Sequence, residues 1–494
     1  MNRQITRLAV FAVTLVIALV FATTYWQTWA APGLADRQDN AIQRVAEFTV
    51  KRGRIFAADG TVLAQNRIKR VHGKTFYFRR YPQGRLFAHV VGYSTQVRSR
   101  AGLEQSLNDY LTASNANLST VLARTLDRIK GTTVKGNDVR LTVSTKAQRV
   151  AQQALGSRCG AVVALAPRTG KILVLASSPS YDPNLIEGHF NQASRAPAAE
   201  CSQGAPLLDR ATNGLYTPGS TFKVVTASAA IDKGVFNLSS TFDDPGYCVE
   251  YGKRVSNFAD QSGPEAFGRV TLLQAIQHSI NSVFCNIGKR LGAGPILEYA
   301  KRYGFYSTPP LELPPDERAA SGLYRNGKPW DPKDPNQVDP GRLAFGQVQL
   351  QVTPLQMAMV AGAIANGGVV MKPHLVDRIV APNGSTVVST PPQRLGRAIS
   401  KSTADAVTQG MVAAVQAGTS TAAQIPGVEV AGKTGTAESG VAHVNTTAFL
   451  CFAPVNAPRV AVAVFLEQQH GVGGTTAAPI AKAVMEALLG EGRT

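Results

Sequence analysis

Tyr216-Thr217-Pro218-Gly219-Ser220-Thr221-Phe222-Lys223, running into the apolar stretch Val224 to Ile231, is the segment on which the reading of this chain turns. Pro-Gly ahead of a small polar residue, followed by an apolar helix, places Ser220 at a helix N-terminus and Lys223 one turn later on the same face. A serine hydroxyl is a poor nucleophile until a base takes its proton. A lysine serves as that base where burial and neighbouring cations lower its pKa, and the helix dipole favours negative charge developing at Ser220. Ser-x-x-Lys alone is a weak string, equally satisfied by a capped helix with a surface lysine.

Two further segments follow downstream. Ser279-Ile280-Asn281 falls inside a helical stretch, Leu272 to Gly288, where a hydroxyl and an amide two residues apart can share a bend or loop. His278 invites a Ser-His reading, but the seven histidines show no clustering with acids or cysteines, and His278 is read as structural. Lys433-Thr434-Gly435-Thr436 sits on a strand expected over Val428 to Glu438. Gly435 removes a side chain so that another group can approach the strand edge, while Lys433 and Thr434 offer a charge and a donor suited to a carboxylate. Gly427 to Thr434 also matches the phosphate-loop string G-x-x-x-x-G-K-T. That loop must open a helix. Here the intervening residues are strand-like and Gly-Thr-Ala-Glu-Ser-Gly follows, so nucleotide binding is set aside.

The flanking sequence is α/β in texture from about Asp138. Val139 to Val143 reads as a strand and Thr145 to Leu155 as a helix capped by Ser144. Gly160 to Ala166 and Lys171 to Ala176 form a hairpin of buried strands across Pro167-Arg168-Thr169-Gly170. Three strands, Val428 to Glu438, Thr446 to Ala453 and Arg459 to Leu466, and a helix from Ala477 to Leu489 close the chain. Strands at both ends with helical sequence between them predict one antiparallel sheet assembled from the two ends of a large α+β domain. The Pro-rich segments Leu311 to Pro315 and Pro332 to Pro340 read as a long surface loop.

At the N-terminus, Arg3 and Arg7 precede the apolar run Leu8 to Trp26, nineteen residues that just span a hydrocarbon core of about 30 Å. Tyr25, Trp26 and Trp29 stand where an interfacial aromatic belt would lie. The run exceeds the usual length of a signal-peptide core, so an uncleaved anchor is expected, with a cytoplasmic N-terminus and the remainder outside. Between Lys51 and Arg100 there are twelve Lys or Arg and one acid, Asp59, within strand- and turn-like sequence. A small folded module is expected there, with Asp59-Gly60 as its hairpin turn.

The whole chain has 494 residues, 44% hydrophobic and 17% charged, which excludes a disordered or collagen-like polymer. Its formal charge of +19 suits an anionic partner. The anchor moves that partner from nucleic acid to an envelope polymer or the membrane surface. Five cysteines are too few for a disulfide scaffold, and an odd number leaves at least one unpaired.

Ser-x-x-Lys, then Ser-x-Asn, then Lys-Thr-Gly, in that order, resembles the signature of penicillin-recognising serine enzymes, and the surrounding sequence is similar to class B penicillin-binding proteins. Leu175 to Asn184, Gly346-Gln347, Val352 to Gln356, Ala365 to Gly368 and Ala431 to Glu438 carry the likeness. In front of them Arg52 to Ile55 with Asp59-Gly60, Ala88 to Gly92 and Gly102-Leu103-Glu104 do the same. The short front module looks most like the actinobacterial penicillin-binding protein A type, a branch associated with cell division. The resemblance implies a β-lactamase-like transpeptidase domain, an antiparallel sheet flanked by helices, over residues 138–494, a dimerisation-like pedestal over 30–137, and a tip and anchor over 1–29.

It further implies a D,D-transpeptidase acting on peptidoglycan stem peptides and lipid-linked precursors, acylated by β-lactams, without cofactor, metal or nucleic acid. Division or elongation machinery would be its protein partners. Ser220 would be the nucleophile, Lys223 its base, Ser279 a proton shuttle and Asn281 a holder of the substrate amide. Lys433, Thr434, Gly435 and Thr436 would bind the terminal carboxylate, with the backbone N–H groups of Ser220 and Thr436 as oxyanion hole. A D,D-carboxypeptidase uses the same motifs with water as acceptor. A penicillin sensor would need several spans and a cytoplasmic output domain, and only one span is apparent. Cys285, one turn after Asn281, is expected to pair with another cysteine and stiffen the site.

Overall fold

The computed structural model describes residues 2–25, 47–114, 125, 133–195, 201, 204–260, 263–347, 349–438 and 444–491. The first helix, α1 (Asn2–Tyr25), has 24 residues and is long and apolar enough to cross a membrane. Trp26 and Trp29, expected in an aromatic belt, lie outside the described residues, as does most of the segment before residue 47.

Strands β1 (Ile55–Phe56), β2 (Val62–Val71), β3 (Lys74–Arg80) and β4 (Asp138–Leu141) come first, then α2 (Thr145–Leu155) and the pair β5 (Gly160–Leu165) and β6 (Ile172–Ser178). Helices α3 (Lys223–Asp232), α4 (Leu272–Gln277), α5 (Asn281–Leu291) and α6 (Pro354–Ala365) follow. Next are β7 (Val376–Val380), β8 (Thr386–Ser389), α7 (Lys401–Ala417), β9 (Ala431–Glu438), β10 (Asn445–Ala453), β11 (Val460–Gln469) and α8 (Gly473–Gly490).

The larger sheet runs β9-β10-β11-β5-β6, every pair antiparallel, so the C-terminal strands add to the N-terminal hairpin as the two-ended pattern predicts. Period-two alternation gives it two apolar faces. Val162, Ala164, Val462 and Val464 pack with Ala147 and Ala151 of α2 and Ala477, Ala481 and Val484 of α8. Ala161, Val163, Ala463 and Phe465 face the core that contains α3, α5 and α6. The Ser144 hydroxyl caps α2 by accepting from Ala147 N at 3.0 Å. α8 begins one turn before the expected Ala477, and β9 begins at Ala431, three residues after the expected Val428, which makes only an isolated bridge to Ile425.

The front sheet runs β8-β7-β4-β1-β2-β3. Two of its strands, β7 and β8, come from far along the chain and pair through β7 with β4, Val376 opposite Leu141. Much of the basic segment is structural here. Arg52 and Arg79 both grip the buried carboxylate of Glu104, at 2.8 and 2.5 Å. Gly92 and Gly102 let two backbones touch: a Cβ on Gly92 would stand 1.9 Å from Ala101 O.

The Pro-rich segments are not simply surface loop. Leu311, Leu313 and Val338 are buried, and short helical turns form at Pro335–Gln337 and Pro340–Leu343. Apolar residues between the prolines anchor the segment to the core. Two disulfides, Cys159–Cys201 and Cys248–Cys285, leave Cys451 free and buried, so Cys285 does have a partner.

Candidate active site

Ser220 stands in a tight turn, Gly219–Phe222, directly ahead of α3, and Lys223 is the first residue of that helix. The turn is clamped from two sides. Gly219 N donates to Gly346 O at 3.0 Å, and a Cβ on Gly346 would lie 2.1 Å from Gly219 O. On the other side runs β9, the edge strand of the larger sheet. A Cβ on Gly435 would meet Pro218 O at 2.7 Å and the Thr221 side chain at 2.8 Å. The group that the missing side chain admits is therefore the chain's own serine-bearing turn.

The expected helix Leu272 to Gly288 is broken. α4 ends at Gln277, α5 starts at Asn281, and Ser279 between them takes φ 62°, a left-handed conformation rare for a residue with a Cβ. The break turns both the carbonyl and the hydroxyl of Ser279 towards Lys223. Lys223 Nζ donates to Ser279 O at 2.5 Å and to Asn281 Oδ1 at 2.7 Å, and lies 3.2 Å from Ser279 Oγ. From the opposite side Lys433 Nζ donates to the same Ser279 Oγ at 2.8 Å and to Thr434 O at 3.1 Å.

Both lysines are buried, 1% and 0% exposed, and no carboxylate pairs with either among the described residues. Burial first, and the nearby Lys433 second, hold Lys223 well below the ordinary lysine range. Burial alone brings Lys433 down to about 7. A neutral amine has two N–H donors and one lone pair, an ammonium three donors and none. With Ser279 O and Asn281 Oδ1 both accepting from Lys223 Nζ, a neutral amine there would keep its lone pair for the Ser279 hydroxyl. Ser279 Oγ thus stands between the two amines, 3.2 Å from Lys223 Nζ and 2.8 Å from Lys433 Nζ. Ser220 Oγ has no hydrogen-bond partner among the described residues.

These groups open onto a cavity of about 300 Å³ lined by Ser220, Ser279, Asn281, Thr434 and Thr436, with Phe258, Phe267 and Val472 as its apolar part. The three motif segments are thus brought together on one cleft, with the buried Lys223 and Lys433 beneath it. His278 lines the cavity with its ring 5.1 Å from that of Phe267, and makes no hydrogen bond to either serine among the described residues. Gly427 to Thr434 leads into a strand and not a helix, so it lacks the N-terminal cradle a phosphate loop needs.

Other participants carry no motif. Thr419, just past α7, hydrogen-bonds Thr434 Oγ1 at 2.8 Å through its hydroxyl. Gly473 N, at the start of α8, donates to Thr436 Oγ1 at 3.3 Å. Asp244, buried, accepts from Gly246 N, Phe267 N, Asn257 Nδ2 and Ser282 Oγ, and Asn257 Oδ1 in turn accepts from Ser282 N at 2.9 Å. The Cys248–Cys285 bridge ties the segment following Asp244 to α5, so the helix start bearing Asn281 is held from two directions. Among the described residues no three His, Cys, Asp or Glu side chains form a metal-ligating group.

An antiparallel sheet whose edge strand faces a serine turn, with a lysine one turn on and a Ser-x-Asn break opposite, defines a penicillin-recognising serine enzyme. Residues 160–486 match the penicillin-binding protein transpeptidase domain and residues 52–139 the penicillin-binding protein A dimerisation domain, and the chain belongs to the penicillin-binding protein transpeptidase family. It is 35% identical to the peptidoglycan D,D-transpeptidase PbpA of Mycolicibacterium smegmatis over 100% of both chains. It is 34% identical to the protein of that name from Mycobacterium tuberculosis over 99% of each. The structure of penicillin-binding protein A from M. tuberculosis as a ceftriaxone acyl-enzyme complex superposes with a TM-score of 0.80 at 32% identity, covering 90% of this chain and 100% of that one.

Proposed function

We propose that this protein is a membrane-anchored D,D-transpeptidase that cross-links peptidoglycan stem peptides through an acyl-enzyme on Ser220. Ser220 Oγ attacks the carbonyl between two terminal D-alanines and its proton passes to Lys223. The tetrahedral oxyanion rests on the backbone N–H groups of Ser220 and Thr436; each such donor contributes roughly 3–4 kcal/mol in other acyl-transfer enzymes. Ser279 relays the proton to the leaving D-alanine amine, Asn281 holds the substrate amide, and Lys433, Thr434 and Thr436 receive the terminal carboxylate. Gly435 allows the strand to lie against the serine turn. An amine from a second stem peptide then takes the acyl group and frees Ser220.

The observation that carries this reading is the meeting of two desolvated, unpaired lysines on the one hydroxyl of Ser279. α1, bearing Arg3 and Arg7 at its start, supports a single-pass anchor with the N-terminus in the cytoplasm. The full-length likeness to penicillin-binding protein A relatives supports a place in wall synthesis at division, beside its machinery.

A fluorescent penicillin tests the nucleophile: wild type is labelled covalently and a folded Ser220→Ala variant is not. Equal labelling of both would remove Ser220 from the reaction. Mass spectrometry of products formed with a supplied amine acceptor separates transpeptidation from hydrolysis, since only the former yields the cross-linked amide.

A further inference from the structure

β2 and β3 extend into a long two-stranded hairpin at the edge of the front sheet. Its turn, Val71-His72-Gly73-Lys74, has two central residues, His72 at φ 47° and Gly73 at φ 75°, the pair of positive values that a type I′ turn demands. From Val62 to Arg80 there is no acidic residue. Arg67, Lys69, Arg70, Lys74 and Arg80 are exposed, and none pairs with a carboxylate among the described residues. Elsewhere between Lys51 and Arg100 four cations are paired: Arg52 and Arg79 with Glu104, Arg54 with Asp138 and Arg100 with Glu47. Lys51, Arg85 and Arg98 are also without a carboxylate partner among the described residues, so five of the eight unpaired cations of this segment stand on the hairpin.

Apolar side chains are interleaved with it. Ile68 is 61% exposed and Val71 37%. The register sets Arg67 opposite Phe78, Lys69 opposite Phe76 and Val71 opposite Lys74 on one face, and Ile68 opposite Tyr77 and Arg70 opposite Thr75 on the other, so cations and apolar groups are mixed on both faces of the ribbon towards its tip. That mixture suits the interfacial region of an anionic membrane, where cations meet headgroups and short apolar side chains enter the acyl boundary.

The course of the chain points the same way. α1 ends at Tyr25, and the chain re-enters the described fold at Glu47, against this hairpin. Phe48 O accepts from Tyr77 N at 2.7 Å, and the Phe48 ring lies 5.5 Å from that of Phe78. At full extension the intervening chain reaches at most about 75 Å, so the hairpin is tethered within that radius of the membrane. A second copy of the hairpin is a poor occupant, because isologous pairing would set cation against cation.

We propose that the β2–β3 hairpin, through Arg67, Lys69, Arg70 and Lys74 with Ile68 and Val71, docks on the anionic leaflet of the membrane that holds the chain's own α1. This rests on the reading of α1 as an anchor. The test uses the full chain carrying a fluorophore at His72→Cys, reconstituted in nanodiscs containing headgroup-quencher lipid. In discs with phosphatidylglycerol the dye is quenched severalfold more than in discs of phosphatidylcholine alone. The difference vanishes at about 0.5 M salt, where screening reaches only a few ångströms, and in Arg67→Glu/Lys69→Glu/Arg70→Glu/Lys74→Glu. That variant retains its melting temperature and its penicillin labelling.

Equal quenching in both lipids, or quenching indifferent to salt and to charge reversal, overturns the proposal. So does loss of lipid contact in favour of cross-links between hairpins of two copies. Failure of the chain to enter the discs at all overturns the anchor reading with it, and is distinguished by the absence of disc-bound protein.

Discussion

Two places in this molecule bury a pair of basic side chains, and they resolve the same electrostatic problem in opposite ways. In the front sheet Arg52 and Arg79 share Glu104; burial pushes that carboxyl up, but the two guanidiniums outweigh it and hold it below the usual carboxylate range. In the cleft Lys223 and Lys433 share only a serine, and burial lowers both. Charge with a counter-ion is locked in one protonation state. Charge without one is poised to give up its proton, which is what acyl-transfer chemistry requires of a base.

The sharpest way to break this contrast is to remove Lys223, the proposed base. Lys223→Ala should slow acylation by penicillin about 10³-fold, in the range of general-base losses, with the melting temperature little changed because a buried amine without a counter-ion has gone. A variant that acylates normally would return Lys223 to a structural role.

The converse change is Glu104→Gln, which strands two buried guanidiniums. Breaking such a pair costs about 3–5 kcal/mol, so urea unfolding should show a markedly lower midpoint, while the folded fraction still reacts with penicillin. Loss of labelling in protein that remains folded would show that the two regions are not independent.

The smallest expected effect concerns pH. Lys433 is lowered to about 7, so its charged form prevails below that pH and is lost as pH rises through it. Recognition of the β-lactam carboxylate should weaken severalfold along that limb in a pH profile of acylation. Lys433→Arg keeps its proton and should move the limb to higher pH; an unmoved limb would assign it to another group.

Much of this was legible in the residues. The β5–β6 hairpin, the C-terminal strands and the order of three short motifs follow from periodicity and spacing, which are local. The break at Ser279 was hidden because apolar periodicity continues from Leu272 to Gly288, and only tertiary contacts hold a left-handed serine there. The purpose of Gly435 was half legible: the need for close approach is local information, while the identity of what approaches depends on the fold. Thr419, Gly473 and Asp244 belong to no motif, and the passage of β7 and β8 into the front sheet depends on pairings across some 235 residues, as between Leu141 and Val376. Those side chains reach their partners only through folding.

The order of strands in the larger sheet has a consequence in time. Its middle strand, β11, is the last to be made, yet it joins β10 to β5, pairing Val464 with Val162. Ser220 and Lys223 therefore leave the synthesis machinery long before Lys433, Thr436 and the strand that seats them. Pairings so distant in sequence form late. On the proposed assignment the nucleophile is made before it is armed, and the cleft is complete only when β10 and β11 close the sheet.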